Sequence, residues 1–205
     1  GVLWPDSIST QFNGSWRARE GWQLQLADAR MWWPSLAAPP INLAVRGRLG
    51  EQAQIAIASL DIASWSNILL TAGVLQGEAA QAAQALQPQG ELHNIEITRR
   101  PADAGHFALR GTLRGGAVQA WYGAPAIEGV NGLVEMSALE GQVRLQTDDG
   151  FRLFFPRLYH APLVFQHAEG AVRWAVDLAA DTVAVATSTV HLANAEVAAV
   201  GHFQL

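Results

Sequence analysis

Six histidines are the residues of this chain best suited to chemistry, because imidazole binds metal ions and transfers protons near neutral pH. They are spread from residue 93 onward, as His93, His106, His160, His167, His191 and His202. Their spacings match none of the recurrent zinc-ligand patterns, and the chain has no cysteine to supply a thiolate ligand. We therefore expect neither a metal site nor a cofactor.

Paired carboxylates are the second set of residues suited to chemistry, since one carboxyl group can act as a general acid and the other as a general base. The candidates are Glu128 with Glu135, and the adjacent Asp148 and Asp149. The second pair stands directly before Gly150, and Asp followed by Gly is typical of tight hairpin turns, so we predict a solvated turn between two strands there. Neither pair forms a catalytic motif, and the sequence favours a protein that is not an enzyme.

A third candidate is the glycine-rich segment "GTLRGG" (residues 111–116), which could bind phosphate. It lacks the spacing and the lysine of a phosphate-binding loop. The alternating strand patterns on both sides of it favour a second hairpin turn instead.

Composition narrows the class of protein further. Charged residues make up only 15% of the 205 residues and hydrophobic residues 50%, which favours a folded domain; charged residues usually account for about 25%. The net charge of -5 and the lack of a basic cluster exclude a nucleic-acid-binding surface. Because the sequence opens on Gly1 and closes on the strand-like "AEVAAVGHFQL", we expect an internal fragment of a longer polypeptide.

Alternating apolar residues dominate the chain and predict β-strands, whose side chains point to opposite faces in turn. Residues 21–27 show the pattern: Trp22, Leu24 and Leu26 share one face, and Gln23 and Gln25 lie on the other. The same alternation on both sides of "GRLGEQ" predicts a hairpin, and from Glu91 onward the pattern predicts a meander of hairpins.

One segment departs from this pattern. Between residues 64 and 87 the apolar residues recur at helical spacing, and Pro88 and Gly90 end the segment. The sequence therefore predicts a mainly β fold with a helical insertion around 64–87. We expect residues 1–205 to form a single segment, an extended and strongly curved antiparallel sheet folded over into a groove.

The low charge and the long serial strands indicate an apolar face that no second sheet covers. Apolar surface left in water costs about 25 cal/mol per Å², so a large uncovered face persists only when something apolar occupies it. An acyl chain meets that requirement. Two other interpretations stay open: a closed β domain whose apolar residues make only core, and a carbohydrate-binding sandwich that uses Trp32 and Trp33.

Three blocks of the sequence, in this order, resemble the YhdP-like members of the AsmA-like family of Gram-negative envelope proteins. The blocks are "LQPQGELHNIEI", "GAPAIEGVNGLVEMSALEGQVRLQT" and "LFFPRLYHAPLVFQHAEGAVRW", and the resemblance covers essentially the whole chain. None of the blocks is a catalytic motif; their specificity lies in their order and spacing. One departure, Glu128-Gly129 where the pattern has Pro-Gly, affects a loop.

The resemblance implies a location and a function. Members of this family are anchored in the inner membrane by an N-terminal helix and extend across the periplasm, so we expect this chain to be a middle stretch that follows such an anchor. They carry phospholipid between the inner and outer membranes along a hydrophobic groove. We therefore expect a non-enzymatic, periplasmic lipid-transfer segment whose partners are phospholipid acyl chains, with outer-membrane or periplasmic proteins as further candidates. The alternative is a structural or interaction scaffold domain of the envelope with a closed β core.

In this interpretation the apolar side of each strand lines the groove, and Gln23, Gln25, Arg144 and Arg173 face water. The expected lipid-binding residues are Trp22, Leu24, Leu26, Ile55, Ile57, Phe107, Leu109, Val143, Leu145, Phe151, Leu153, Trp174 and Val176.

Overall fold

The fold is described from a computed structural model, which covers residues 3–17, 21–34, 36–48, 53–99, 107–148, 150–177 and 182–202. The elements are β1 (Ser7–Arg17), β2 (Gly21–Trp33), β3 (Leu36–Ala37), β4 (Ile41–Gly47), β5 (Ala53–Asp61), α1 (Ile62–Thr71), α2 (Gly77–Leu86), β6 (Gln89–Arg99), β7 (Phe107–Val118), β8 (Ala126–Ser137), β9 (Glu140–Thr147), β10 (Phe151–Phe154), β11 (Leu163–Phe165), β12 (His167–Asp177), β13 (Thr182–Thr187), β14 (Val190–Ala193) and β15 (Ala198–Gly201).

All strands join one antiparallel sheet in which the main strands follow the order of the chain. The path runs β1-β2-β4-β5-β6-β7-β8-β9-β12-β14-β15, so that β1 and β15 form its two ends. Most strands on this path pair with the next strand of the chain, as is usual for consecutive elements, whereas β9 pairs with β12 and β12 with β14. The predicted mainly β, antiparallel sheet is confirmed, and so is the hairpin around "GRLGEQ", where Val45 pairs with Ile55.

The hairpin turn predicted at residues 148–150 is wrong. Both β9 and β10 run antiparallel to β8, since Leu145 pairs with Gly132 and Leu153 pairs with Ile127. The two strands therefore run in the same direction, and the chain does not reverse between them. Gly150 has a φ of 72°, a left-handed conformation that occurs in bulges as well as in turns. The chain reverses later, at residues 155–162 between β10 and β11; Asp149 lies outside the described residues.

The turn predicted at "GTLRGG" is also wrong, because residues 111–116 lie within β7. Gly115, with a φ of 59°, forms an irregularity in that strand, and its N–H donates to Asn131 Oδ1 at 2.9 Å. The actual reversal follows in residues 119–125, where Trp121 and Ala124 form a bridge.

Irregular backbone positions occur at two levels of the sheet. Asp28 of β2 and Asn94 of β6 are left-handed at one level. At the other level, Gly90, Gly115 and Gly129 interrupt the neighbouring strands β6, β7 and β8, and Gly150 continues this second series before β10. Bulges bend the strand that contains them and increase its twist. Because those of the second series follow one another from strand to strand, they fold the sheet along a line that crosses the strands, which we call the crease.

Burial shows which side of the crease is concave. The buried apolar residues beside it include Leu113, Leu145 and Ala168. They lie on the face that carries the apolar side chains, so the sheet folds toward its apolar side.

Two helices form the predicted insertion; together they span residues 62–86, which begins two residues before and ends one residue before the predicted 64–87. Helix α1 begins after Asp61, whose Oδ1 accepts a hydrogen bond from Ser64 N at 2.7 Å, and α2 ends at Gln87 with a φ of 43°. The insertion connects neighbouring strands, since Leu60 of β5 pairs with Leu92 of β6. Helix α1 packs against these two strands and buries Ile68, so the insertion lies at one end of the strands.

Candidate functional site

Directly paired residues of neighbouring strands point to the same face of a sheet, and the register therefore maps the apolar face row by row. The central row crosses nine strands through Leu24, Val45, Ile55, Ile97, Leu109, Met136, Gly141, Trp174 and Val185. With strands about 4.8 Å apart, this row is about 38 Å long.

A second row runs parallel to the central row on the same face. It contains Leu26, Leu43, Ile57 and Ile95, and beyond the bulge in β6 it continues through Val134, Val143 and Val172. Neither row contains a charged residue. The central and second rows together are the apolar face referred to below.

The predicted site residues fall on this face or on its extensions. Seven of them belong to the two rows: Leu24, Leu26, Ile55, Ile57, Leu109, Val143 and Trp174. Trp22 and Phe107 lie one row further toward the ends of their strands, in a row that also contains Arg99. The backbone of Val176 lies in β12, and its side chain lies outside the described residues. That these residues bind lipid stays a prediction.

Leu145, Phe151 and Leu153 lie in a different environment. Leu145 and Phe151 are buried in a cluster with Phe165 and Ala168, and Leu153 packs against its side. The rings of Phe151 and Phe165 are 6.4 Å apart between centroids. This part of the face is closed by the protein's own side chains.

Away from that cluster the apolar face is only partly covered. Leu24, Ile55, Leu109 and Trp174 are half-buried, and the register of the described strands places no second sheet over them. Edge strand β1 shows this most clearly. Its Phe12 pairs with Leu26 and its Trp16 with Trp22, yet these two β1 side chains are 77% and 65% exposed.

The opposite face of the sheet is polar, as predicted. Gln23, Gln25, Arg144 and Arg173 are exposed there. Glu135, one of the carboxylates considered for catalysis, accepts hydrogen bonds from Gln142 Nε2 at 2.6 Å and Arg144 Nη2 at 3.1 Å. Cross-strand pairs of this kind keep the charged groups on the outer face.

Several of the other titratable side chains considered above are also paired near this surface. Glu128 accepts from Arg152 Nη1 at 3.3 Å, and Asp148 Oδ1 lies 2.7 Å from His167 Nδ1. His93 Nε2 lies 3.0 Å from Glu91 Oε2. Within the described ranges, no three His, Asp or Glu side chains form a group that could hold a metal ion, and His106 falls outside those ranges.

Two tryptophans on the apolar side lie over glycines of the neighbouring strand, a feature that the sequence analysis missed. A Cβ built on Gly47 would lie 3.1 Å from Trp22 Cζ2, and a Cβ on Gly141 would collide with the Trp174 indole. Each glycine leaves room for the indole of its cross-strand partner. Only the register identifies these partners, since Gly141 and Trp174 are far apart in the sequence.

Trp32 and Trp33, considered for carbohydrate stacking, lie at the end of β2 and are half-buried. Trp33 Nε1 donates to the carbonyl of Leu3 at 3.1 Å, so the N-terminal segment holds this ring.

Comparison with known proteins gives a single family. No curated protein and no solved structure matches the chain. None of the helices in the described part of the chain is long and apolar enough to cross a membrane. The family model described as YhdP protein matches residues 8–205, nearly the whole sequence. The chain therefore belongs to the YhdP family of Gram-negative envelope proteins, which suggests a role related to lipid transport.

Proposed function

We propose that this chain is a non-enzymatic segment of a lipid-transfer conduit and that its apolar face holds phospholipid acyl chains. The observation that carries the proposal is the partly covered central row, which continues without a charged side chain across nine strands. Water in contact with such a row costs about 25 cal/mol per Å² of apolar surface. An acyl chain removes this cost without needing a hydrogen-bonding partner.

The dimensions of the row suit movement of lipid as well as binding. A bilayer's hydrocarbon core is about 30 Å thick, so one leaflet accounts for about 15 Å. The central row is therefore longer than one extended tail, and successive positions along it offer similar apolar contacts. A tail that moves by one strand exchanges one such contact for another, which keeps the free energy nearly level, and the direction of transport must come from outside this segment.

Family membership supports the cellular setting of the proposal. We place the segment in the periplasm of a parent protein that is anchored in the inner membrane and transfers phospholipid between the two membranes. The polar outer face, with its cross-strand ion pairs, suits contact with water.

A second candidate function is a structural scaffold of the envelope with a closed β core. The cluster of Leu145, Phe151, Phe165 and Ala168 favours it, because these side chains fill the space beside the crease themselves. The cluster involves β9 to β12, whereas the exposed Phe12 and Trp16 of β1 lie at the other end of the sheet. We therefore prefer the conduit.

The two functions differ in what the purified protein contains. The full-length protein should be isolated from cells in a mild detergent, washed, and extracted with organic solvent, and the extract analysed by mass spectrometry. A conduit predicts phospholipid in amounts comparable to the protein. An extract with no more phospholipid than that of an unrelated periplasmic protein, purified in parallel, would support the scaffold.

A further inference from the structure

A further row of side chains borders the apolar face, beyond the central row and toward the ends of the strands. On β6 it contains Arg99, which lies two residues from Ile97 and on the same face, because side chains alternate along a strand. Of the residues named in this row, the central row and the second row, Arg99 alone is charged. We call the new row the border row, and cross-strand pairing gives its members as Trp16, Trp22, Gly47, Ala53, Arg99 and Phe107.

The polar side-chain groups of the border row are all hydrogen-bond donors. A guanidinium group and an indole ring each carry N–H groups and have no acceptor. The remaining members, Gly47, Ala53 and Phe107, have no polar side-chain atom. A ligand that lies along this row must therefore supply the acceptors, and anionic oxygen forms the strongest hydrogen bonds with a guanidinium group.

These donors are accessible to a ligand. The side chain of Arg99 is exposed, and within the described ranges it makes no hydrogen bond and no ion pair. The indole N–H groups of Trp16 and Trp22 also lack a hydrogen-bonding partner in that part of the chain, and Trp16 is 65% exposed. Along β6 the carboxylate closest in sequence to Arg99 is that of Glu96, which lies on the opposite face of the sheet.

Small residues leave space between Trp22 and Arg99. The Trp22 indole lies over Gly47, where an added Cβ would be 3.1 Å from Trp22 Cζ2 and 3.5 Å from Ala53 Cα. Ala53 pairs with Arg99 on its other side. An aromatic ring and a cationic side chain therefore flank a strand position that carries only a methyl group.

The distance from Arg99 to the second row suits one acyl chain. Arg99 lies four residues from Ile95 on β6, which corresponds to about 14 Å at a rise of about 3.4 Å per residue. The hydrocarbon of one bilayer leaflet is about 15 Å thick. A tail that lies along β6 and begins at Arg99 would therefore contact Ile97 and end near Ile95.

We propose that Arg99 binds the phosphate group of a phospholipid whose acyl chain lies along β6 on the apolar face. This inference rests on the proposed conduit function. Guanidinium groups bind phosphate through two parallel hydrogen bonds. Trp22 lies beside the glycerol ester groups, since Trp is enriched where hydrocarbon meets water and its N–H binds polar partners. The site thus favours lipids with a phosphate group over neutral lipids with the same tails, a preference that the apolar rows alone do not produce.

Two lipids that differ only in the phosphate group test this preference. Phosphatidic acid and diacylglycerol, each with the same fluorescent acyl chain, are titrated into the delipidated full-length protein in a mild detergent. We expect the wild-type protein to bind phosphatidic acid several-fold more tightly than diacylglycerol. Arg99→Gln should weaken the binding of phosphatidic acid several-fold and leave that of diacylglycerol unchanged, and Arg99→Lys should lie between the two proteins.

Arg110→Gln is the matched control, because Arg110 is exposed on the neighbouring strand β7 but on the outer face. An equal loss of affinity in Arg99→Gln and Arg110→Gln would reflect the overall charge and would overturn the inference. Equal binding of the two lipids by the wild-type protein would overturn it as well and leave the conduit standing. Binding of neither lipid would overturn both.

Two further measurements identify the source and the place of the phosphate. Inorganic phosphate at the concentration of the lipid should not displace phosphatidic acid, since it has no tail to bury; displacement would overturn the assignment to a lipid. A phospholipid with a photoreactive headgroup should label peptides that contain Ala53 or Phe107. Labelling confined to residues 119–125, at the other end of β7, would contradict the proposed contact.

Discussion

The indole of Trp174 lies over Gly141, its cross-strand partner, and fills the space that a Cβ on Gly141 would need. The pair belongs to the central row, so it contributes a large apolar surface to the apolar face where β9 itself contributes no side chain. Trp22 and Gly47 repeat the arrangement on β2 and β4 with slightly more room.

This packing predicts that Gly→Ala substitutions destabilise the protein to different extents, according to the space at each glycine. Gly141→Ala should lower the free energy of unfolding by roughly 1–3 kcal/mol, because the added methyl group must displace the indole. Gly47→Ala should cost less, since its Cβ would lie 3.1 Å from the Trp22 ring. Gly201→Ala, with no atom within 4 Å of the new Cβ, is the control. Urea denaturation checks the order, and equal stabilities of all three variants would contradict the packing.

A charge placed on the apolar face should remove lipid without unfolding the protein. Leu109→Glu puts a carboxylate between Ile97 and Met136 in the central row. We expect bound phospholipid to fall about tenfold or more, since desolvating the carboxylate costs more than the about 1.4 kcal/mol that tenfold represents. Ala108→Glu, on the next residue and the outer face, is the matched control and should retain its lipid.

Circular dichroism of the two Glu variants distinguishes the conduit from the closed core. In an uncovered face the carboxylate of Leu109→Glu reaches water once the lipid has left, and a β spectrum with a cooperative thermal transition should remain. Loss of that transition in Leu109→Glu alone would favour the scaffold.

Removing the buried hydroxyl group of Thr147 should lower the free energy of unfolding. It is 1% exposed, and its Oγ1 donates to the carbonyl of Gly129 and accepts from the N–H of Asn131, both at 3.0 Å. Thr147→Val keeps the shape of the side chain but leaves two backbone groups without hydrogen-bonding partners. Each unpaired group should lower the free energy of unfolding by about 1–3 kcal/mol. Thr182→Val, an exposed control, should change the free energy of unfolding by less than about 0.5 kcal/mol. Equal denaturation midpoints would show that the hydrogen bonds do not hold the crease together.

The start of α1 depends on Asp61. Its carboxylate caps the helix by accepting a hydrogen bond from Ser64 N. Asp61→Ala should therefore lower the free energy of unfolding by about 1 kcal/mol. Asp61→Asn keeps the side-chain oxygen and should remain close to the wild-type protein. Thermal denaturation of the three proteins measures this, and identical transitions would mean that the cap contributes nothing to stability.

The sequence reveals the faces of the strands better than it reveals their breaks. Alternation identified Leu24, Ile55 and Leu109, because one buried face imposes the period of two locally. The sequence at residues 148–150 indicates a turn, because Asp and Gly favour left-handed backbone in turns, but they favour it in bulges as well. Only the pairing of β9 and β10 with the same strand distinguishes the two.

Other features depend on contacts between distant segments. The alignment of Gly90, Gly115 and Gly129 depends on the register of three strands, and no local sequence pattern predicts the crease. The same holds for the cluster that buries Leu145 and Phe151, since it assembles from β9 to β12. The helical insertion was placed correctly by its spacing, and its bounds were fixed by the cap at Asp61 and the left-handed Gln87.

Photo-crosslinking in cells tests the central proposal most directly. A photoreactive amino acid is placed in the full-length protein at Leu24 or Leu109 on the apolar face, and at their outward neighbours Gln25 or Arg110. Leu145 serves as a third kind of site, on the apolar side but inside the closed cluster. The conduit predicts phospholipid adducts at Leu24 and Leu109, and none at Gln25, Arg110 or Leu145. Folded, correctly located protein without adducts at Leu24 and Leu109 would contradict it.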